Sequence, residues 1–414
     1  MASANSKPDL IDHAVYEAGG PPHDTFKQLR AAPGLHWNDF PGDGGFWSVL
    51  KYKDVFDVSL DTKAFSASKE GVILRPFKED DFVIERTLLI NRDPPEHTKH
   101  RRLVSLGFSA KVIRNLEAHV REITSELLDD VAPLGECDFV DRISAELPLQ
   151  VIVEMVGVPK ADRRKVLEWS NTMIGFDDPE YGTPELGRMA AAELFMYANE
   201  LAEEREKHPK DDMVSLLMKA EVDGERLSRS DFSSFFMLLL VAGNETTRNL
   251  ISGGMLALMQ HPDQRARLLA DRALLPSAIE EMLRWVSPVN LFKRTAIRDT
   301  TVRGQTIREG ERVVLFYASA NRDEDQFTNP DVFDVARTPN EHLAFGIGPH
   351  FCLGANLARL EIKVMFEELL RRLPDMELAG KPERLRSYFI NGIKRMPVRF
   401  TPAAPQQVGR AGAL

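Results

Sequence analysis

Cys352 lies in the segment Phe345-Gly346-Ile347-Gly348-Pro349-His350-Phe351-Cys352-Leu353-Gly354, and it is one of only two cysteines in 414 residues. Glycines let a backbone turn tightly and come close to a flat partner. The segment feeds into a helical pattern, Ala355-Asn356-Leu357-Ala358-Arg359-Leu360-Glu361. A thiolate at 352 gains from backbone N–H groups and from the positive end of that helix. Such a sulfur can serve as the proximal ligand of a haem iron, where it pushes electron density toward O–O cleavage. The alternative is a small buried hydrophobe, the usual state of a free cysteine. Cys137, in Leu134-Gly135-Glu136-Cys137, has no comparable setting and fits that description.

A second segment reads Ala242-Gly243-Asn244-Glu245-Thr246-Thr247 and lies within a long apolar stretch. A glycine and paired threonines cost helix propensity. Two explanations are open. The helix packs tightly against a neighbour at Gly243, or it opens locally beside a reaction site. In the second case a small residue leaves room for dioxygen. A hydroxyl and an adjacent carboxylate then suit delivery of protons to a bound oxygen.

The two segments together resemble the cytochromes P450. Phe345, Gly346, Gly348, His350, Cys352 and Gly354 match the family's cysteine-ligand loop, and Ala242, Gly243, Glu245 and Thr246 match its oxygen-activation motif. The resemblance implies haem b (iron protoporphyrin IX) with Cys352 on the metal, Thr246 near the distal oxygen and Glu245 in proton supply. It implies that Ala242, Gly243, Phe345, Gly346 and Gly354 border the cofactor. His97 and Arg101 share a helical face in Asp93-Pro94-Pro95-Glu96-His97-Thr98-Lys99-His100-Arg101, which is similar to the family's propionate-binding helix. Arg294 and His350 complete that set. Glu281 and Arg284 match a Glu-x-x-Arg pair, with Arg337 as the arginine that joins them in a structural role. Lys99, His100 and Arg102 are expected to face outward as a modest basic patch for an acidic ferredoxin.

These residues require a scaffold. Ser228 or Ser230 caps a helix that ends before Pro262, and its apolar middle marks it as central. A shorter helix is predicted over Pro276–Val286 and another over residues 355–372. Gly45–Leu50 reads as a strand and Tyr52–Phe65 as more helical. Helical patterns dominate residues 96–220, with breaks at Pro133-Leu134-Gly135 and Gly157-Val158-Pro159. Thr300–Leu315 reads as a hairpin or small sheet, and residues 385–402 as strand-like. The expected fold class is mainly α with small β-sheets (α+β), the cytochrome P450 fold, with a long central helix over the haem. Residues 1–20 are expected to form a flexible arm, 21–402 a single haem domain and 403–414 a flexible tail.

The net charge of -10 argues against nucleic-acid binding. No apolar run is long enough for a membrane anchor. The expectation is a cytoplasmic monomer. The resemblance implies monooxygenation, with electrons from a separate ferredoxin and ferredoxin reductase and with O2 and a hydrophobic small molecule as substrates. Candidate pocket regions are Gly71–Val83, Thr172–Phe195, Phe236–Ala242, Val289–Phe292 and Phe389–Ile393, with Phe389 and Ile390 at a turn. Ala242–Asn249 and Phe176-Asp177-Asp178-Pro179-Glu180-Tyr181 resemble bacterial members that hydroxylate sterol side chains, steroids and terpenoids. A steroid or sterol is the first expectation, a terpenoid or fatty acid the second. A non-catalytic haem sensor is the alternative of a different class, and it gives Glu245 and Thr246 no task.

Overall fold

The structure, a computed structural model, describes residues 8–76, 85–174, 178, 180 and 183–406. The expected Phe77, Val83, Phe176, Asp177, Pro179 and Tyr181 of the pocket, the arm's first seven residues and the tail beyond 406 lie outside them. The helices are α1 (His13–Gly19), α2 (His23–Ala31), α3 (Tyr52–Leu60), α4 (Glu96–Val104), α5 (Ala110–Val131), α6 (Glu146–Met155), α7 (Arg163–Ile174), α8 (Pro184–Lys207), α9 (Met213–Lys219), α10 (Arg229–Gln260), α11 (Pro262–Ala270), α12 (Leu275–Val286), α13 (Tyr317–Ala320) and α14 (Ala355–Arg372).

Helix α10 has 32 residues, about 48 Å of axis. Its start is fixed by a capping box in which Ser228 and Asp231 satisfy each other's backbone N–H groups. His261 leaves the helix and Pro262 opens α11. Buried residues occur on nearly every face of α10, because α6, α7, α8, α12 and α14 pack around it. The main apolar cluster joins these helices into one core.

The principal sheet has the order β1 (His36–Asp39), β2 (Gly45–Val49), β10 (Arg312–Phe316), β7 (Leu291–Ala296), β3 (Phe65–Ser66). Strands β2 and β10 run parallel, and the other neighbours are antiparallel. β4 (Glu136–Asp138) joins β11 (Glu377–Leu378) and β14 (Pro397–Arg399). Three two-stranded hairpins remain: β5 (Glu221–Val222) with β6 (Glu225–Arg226), β8 (Thr300–Val302) with β9 (Gln305–Ile307), and β12 (Glu383–Arg384) with β13 (Ile393–Arg395).

The sequence pattern departs from this structure in three places. Residues 8–20 are not an arm: Leu10 and Tyr16 are buried, the Tyr16 hydroxyl donates to the Leu10 carbonyl (2.9 Å), and both join a second core cluster. Strand β7 is hidden from a period-2 search because Lys293 and Arg294 are both buried in it. Residues 385–402 hold only the short β13 and β14, separated from β12 by a long turn.

Candidate functional site

The loop before α14 is shaped by Gly346 and Gly348, both at positive φ (67° and 73°). A Cβ on Gly348 would also lie 2.9 Å from a Leu60 methyl, so α3 packs closely there. The Cys352 N–H donates to the Phe345 carbonyl (2.9 Å), and Gly348–His350 forms a 3-10 turn between them. Cys352 is exposed. The loop is dense on its other sides, and burial pushes the thiol up; the Gly354 N–H, Arg101 and Arg359 act in the opposite direction. Arg101, on α4, donates from Nη2 to the Phe351 carbonyl (2.6 Å) and so ties α4 to the loop.

His97, Arg101, Arg294 and His350 come together as the sequence predicts. The His97 and His350 rings have centroids 4.2 Å apart. Burial pushes His97 down to about 4, helped by Arg101. Burial, Arg294, His97 and Arg101 push His350 down to about 2. Arg294 is buried, and among the described residues its guanidinium makes one hydrogen bond, from Nη1 to the Lys293 carbonyl (2.8 Å). His97 Nδ1 and His350 Nε2 are buried without a partner among the described residues. Asp93 is the acid that acts on His97 and Arg294, but it accepts bonds from Ser66, Ser68 and the Ala67 N–H. The cluster therefore has unsatisfied donors and lacks negative charge. A ligand with carboxylates beside Cys352 would supply both, which is what the two propionates of haem require.

Helix α10 remains α-helical through the motif, so the expected local opening is not seen. Leu238, Ala242 and Thr246 recur every four residues on one face; Leu238 and Thr246 are partly exposed and Ala242 is exposed. The Thr246 hydroxyl donates to the Ala242 carbonyl (2.8 Å). Gly243 lies against a neighbouring helix. A Cβ there would meet Ile152 on α6 at 3.2 Å, so its smallness serves helix packing, and Ala242 is the small residue left exposed. Glu245 is buried, and its Oε1 accepts from Arg248 and from Asn249 Nδ2 (2.8 Å).

The Glu281 network is complete. Glu281 and Arg284 are fully buried and pair through two 2.8 Å bonds. Arg337, Asn340 and the Asp334 N–H also donate to Glu281. Arg284 donates to the carbonyls of Asn321, Pro330 and Val332. Beside it, Glu280 accepts from Nε and Nη2 of Arg359 (2.7 and 2.8 Å) and faces His342. Arg359 in turn covers the Phe345 ring at 4.5 Å. Sequence reading missed Arg359 and Glu280, since neither carries a motif signal by itself.

Burial pushes Glu280 up, but Arg359 and His342 outweigh it and hold the carboxyl at about 2. The folded state thus favours the carboxylate. That stability is present above the usual carboxyl range near 4.5 and is lost as pH falls toward about 2. Glu280→Gln is expected to lower stability by about 1–3 kcal/mol at pH 7. The difference should shrink between pH 4.5 and 2, as read by chemical denaturation at several pH values.

Apolar side chains border the cleft from the sheet side. Val289 pairs with Ile390 through a β-bridge, and the Phe292 and Phe389 rings have centroids 5.6 Å apart. Val72 and Leu74 are buried, and Val72 accepts from the Lys293 N–H (2.7 Å). Of the expected basic patch, Lys99 and Arg102 face outward, each beside an acid, Glu96 or Glu225 and Asp223 respectively. His100 instead turns inward to Arg92 and Asp231. No helix among the described residues is long and apolar enough to cross a membrane.

The structure thus sets a cysteine on a glycine-shaped loop beside a cluster of histidines and arginines, with Thr246 on the long central helix. The family profile for cytochrome P450 matches residues 186–383. The chain is 44% identical over 407 residues to a steroid C26-monooxygenase of Rhodococcus jostii, covering 96% of this chain and 85% of the relative. It is 43% identical over 383 residues to a methyl-branched lipid omega-hydroxylase of Mycobacterium bovis, covering 90% of this chain and 89% of that one. A Mycobacterium marinum cytochrome P450 solved in complex with pseudoionone superposes with a TM-score of 0.87 at 38% identity, covering 96% of this chain and all of the other. The chain belongs to the cytochrome P450 family. It has the predominantly α-helical P450 fold with α10 as the long central helix, and it is a haem monooxygenase acting on hydrophobic substrates.

Proposed function

We propose that the chain hydroxylates an unactivated C–H bond on the alkyl side chain of a sterol or steroid, with Cys352 as the iron ligand. Family membership implies haem b, and the unsatisfied donors of His97 and His350 beside Arg294 are the observation that fits its propionates. When bound, the haem activates O2 with two electrons, so that RH + O2 + 2 e− + 2 H+ becomes ROH + H2O. The protein's residues do the rest. His97, Arg101, Arg294 and His350 neutralise and orient the carboxylates. Ala242 keeps the α10 face low beside Thr246. The Thr246 hydroxyl, whose proton rests on the Ala242 carbonyl, can turn to order water at the cleft. Glu245 is the neighbouring acid through which protons are replenished. Electrons come from a separate ferredoxin and its reductase, with α4 as the docking element, because Arg101 links it to the cysteine loop.

The substrate reading is supported by the apolar border of Leu238, Val289, Phe292, Phe389 and Ile390, which offers no charge to a ligand. It is supported also by the steroid C26-monooxygenase and the methyl-branched lipid omega-hydroxylase among the relatives. Both names describe oxidation at the end of an alkyl chain. A branched fatty acid is therefore the second reading. Optical titration with cholesterol, testosterone and a methyl-branched fatty acid tests this. Cholesterol should shift the iron from low to high spin at the lowest concentration. A shift with testosterone alone, which lacks the side chain, contradicts the side-chain reading.

Thr246→Ala should lower product formed per electron pair by about tenfold and raise peroxide release accordingly. The measurement is product and peroxide against reductant consumed. Unchanged coupling removes Thr246 from proton delivery.

A further inference from the structure

Asn249 is fully buried one turn after Glu245 on α10, and the sequence reading gave it no role of its own. Its amide is bonded at both ends. Nδ2 donates to Glu245 Oε1 (2.8 Å), and Oδ1 accepts from the Ile393 N–H (3.3 Å). The opposite amide orientation would set oxygen against carboxylate and NH2 against N–H, so the partners fix it. Gly392 allows the approach, since a Cβ there would lie 3.2 Å from Asn249 Oδ1 and 3.1 Å from Leu385. Ile393 begins β13, and the turn before it carries Phe389 and Ile390. The next residue, Lys394, is largely buried and pairs with Asp178 (3.1 Å) and Glu180 (2.9 Å), between α7 and α8.

We propose that Asn249 is the positioning residue for Glu245, and that it couples the setting of this carboxylate to the β12–β13 hairpin that borders the substrate. The inference rests on the reading of Glu245 in proton supply. Both hydrogen bonds that the carboxylate accepts among the described residues end on Oε1. One comes from Arg248 on the same helix and carries no news of the pocket. The other comes from Asn249, whose far end is held by a strand. A ligand that presses on Phe389 or Ile390 shifts Ile393, and the rigid amide transmits the shift to Glu245. No other residue type of this size has a donor and an acceptor back to back. Aspartate keeps the acceptor for Ile393 and loses the donor for Glu245.

The test uses the haem-loaded full chain with a ferredoxin and reductase, and cholesterol as the probe. Asn249→Asp, Gly392→Ala and Glu245→Gln are compared for product per electron pair, peroxide release, cholesterol affinity from the spin shift, and the position of the 245 side chain in crystals. Asn249→Asp should uncouple by about tenfold, with Glu245 displaced and with cholesterol affinity changed far less. Gly392→Ala, which pushes on the hairpin without altering α10, should uncouple in the same direction and to a smaller degree, and it serves if the aspartate variant does not fold. Normal coupling in both variants, with Glu245→Gln uncoupled, overturns the role of Asn249 and leaves that of Glu245 standing. Normal coupling in all three overturns the proton-supply reading and this inference with it.

Discussion

Arg284→Ala is expected to yield little or no folded protein. The substitution leaves Glu281 fully buried with its bidentate partner gone. Breaking a buried pair from one side costs about 3–5 kcal/mol. The carbonyls of Asn321 and Pro330 lose a donor as well, whereas that of Val332 keeps Arg337. Each unsatisfied buried acceptor adds about 1 kcal/mol or more. The sum approaches the whole net stability of an ordinary domain, about 5–15 kcal/mol. Arg337 can relieve only part of this, because it reaches Glu281 through a single Nε bond (3.0 Å) and its other donors are already on carbonyls. Arg284→Lys should rescue poorly, since an ammonium cannot span two carboxylate oxygens and three carbonyls in one plane. Soluble yield and thermal unfolding are the measurements. A melting temperature within a few degrees of wild type contradicts the structural role of the pair.

Cys352→Ala is expected to abolish hydroxylation while leaving the fold intact. The loop is set by Gly346, Gly348 and the Cys352 backbone bond to Phe345, not by the sulfur, whose contact is the Gly354 N–H within the same loop. The cluster of His97, Arg101, Arg294 and His350 is held by contacts that do not involve the sulfur and should still take up haem. Near-normal circular dichroism, reduced haem retention and no thiolate-type CO band are the expected outcome. Retained hydroxylation by the alanine variant contradicts the assignment of Cys352.

Much of this was legible because the chemistry requires residue types in local order. The cysteine loop, the Ser228 start of α10, the Pro262 stop and the span of α14 are written in contiguous segments. His97 and Arg101 could be paired by helical spacing alone. What stayed hidden depends on contacts distant in sequence. Gly243 could not be assigned to packing or to the cleft until Ile152 was placed opposite it. Strand β7 escaped because the cations that mark it as a site also break its alternation. The roles of Asn249 and Arg359 stayed hidden, since their partners Ile393 and Glu280 are 144 and 79 residues away. Residues 8–20 read as an arm because they follow a polar start and show no long apolar run, yet the burial of Leu10 and Tyr16 fixes them.

The most direct test of the account is the reduced, CO-bound optical spectrum of the purified, haem-loaded protein. The account expects the red-shifted Soret band that marks a thiolate opposite CO, present in wild type and absent from Cys352→Ala. A wild-type spectrum with the band of a histidine-ligated haem, in protein that keeps its fold and its haem, contradicts it.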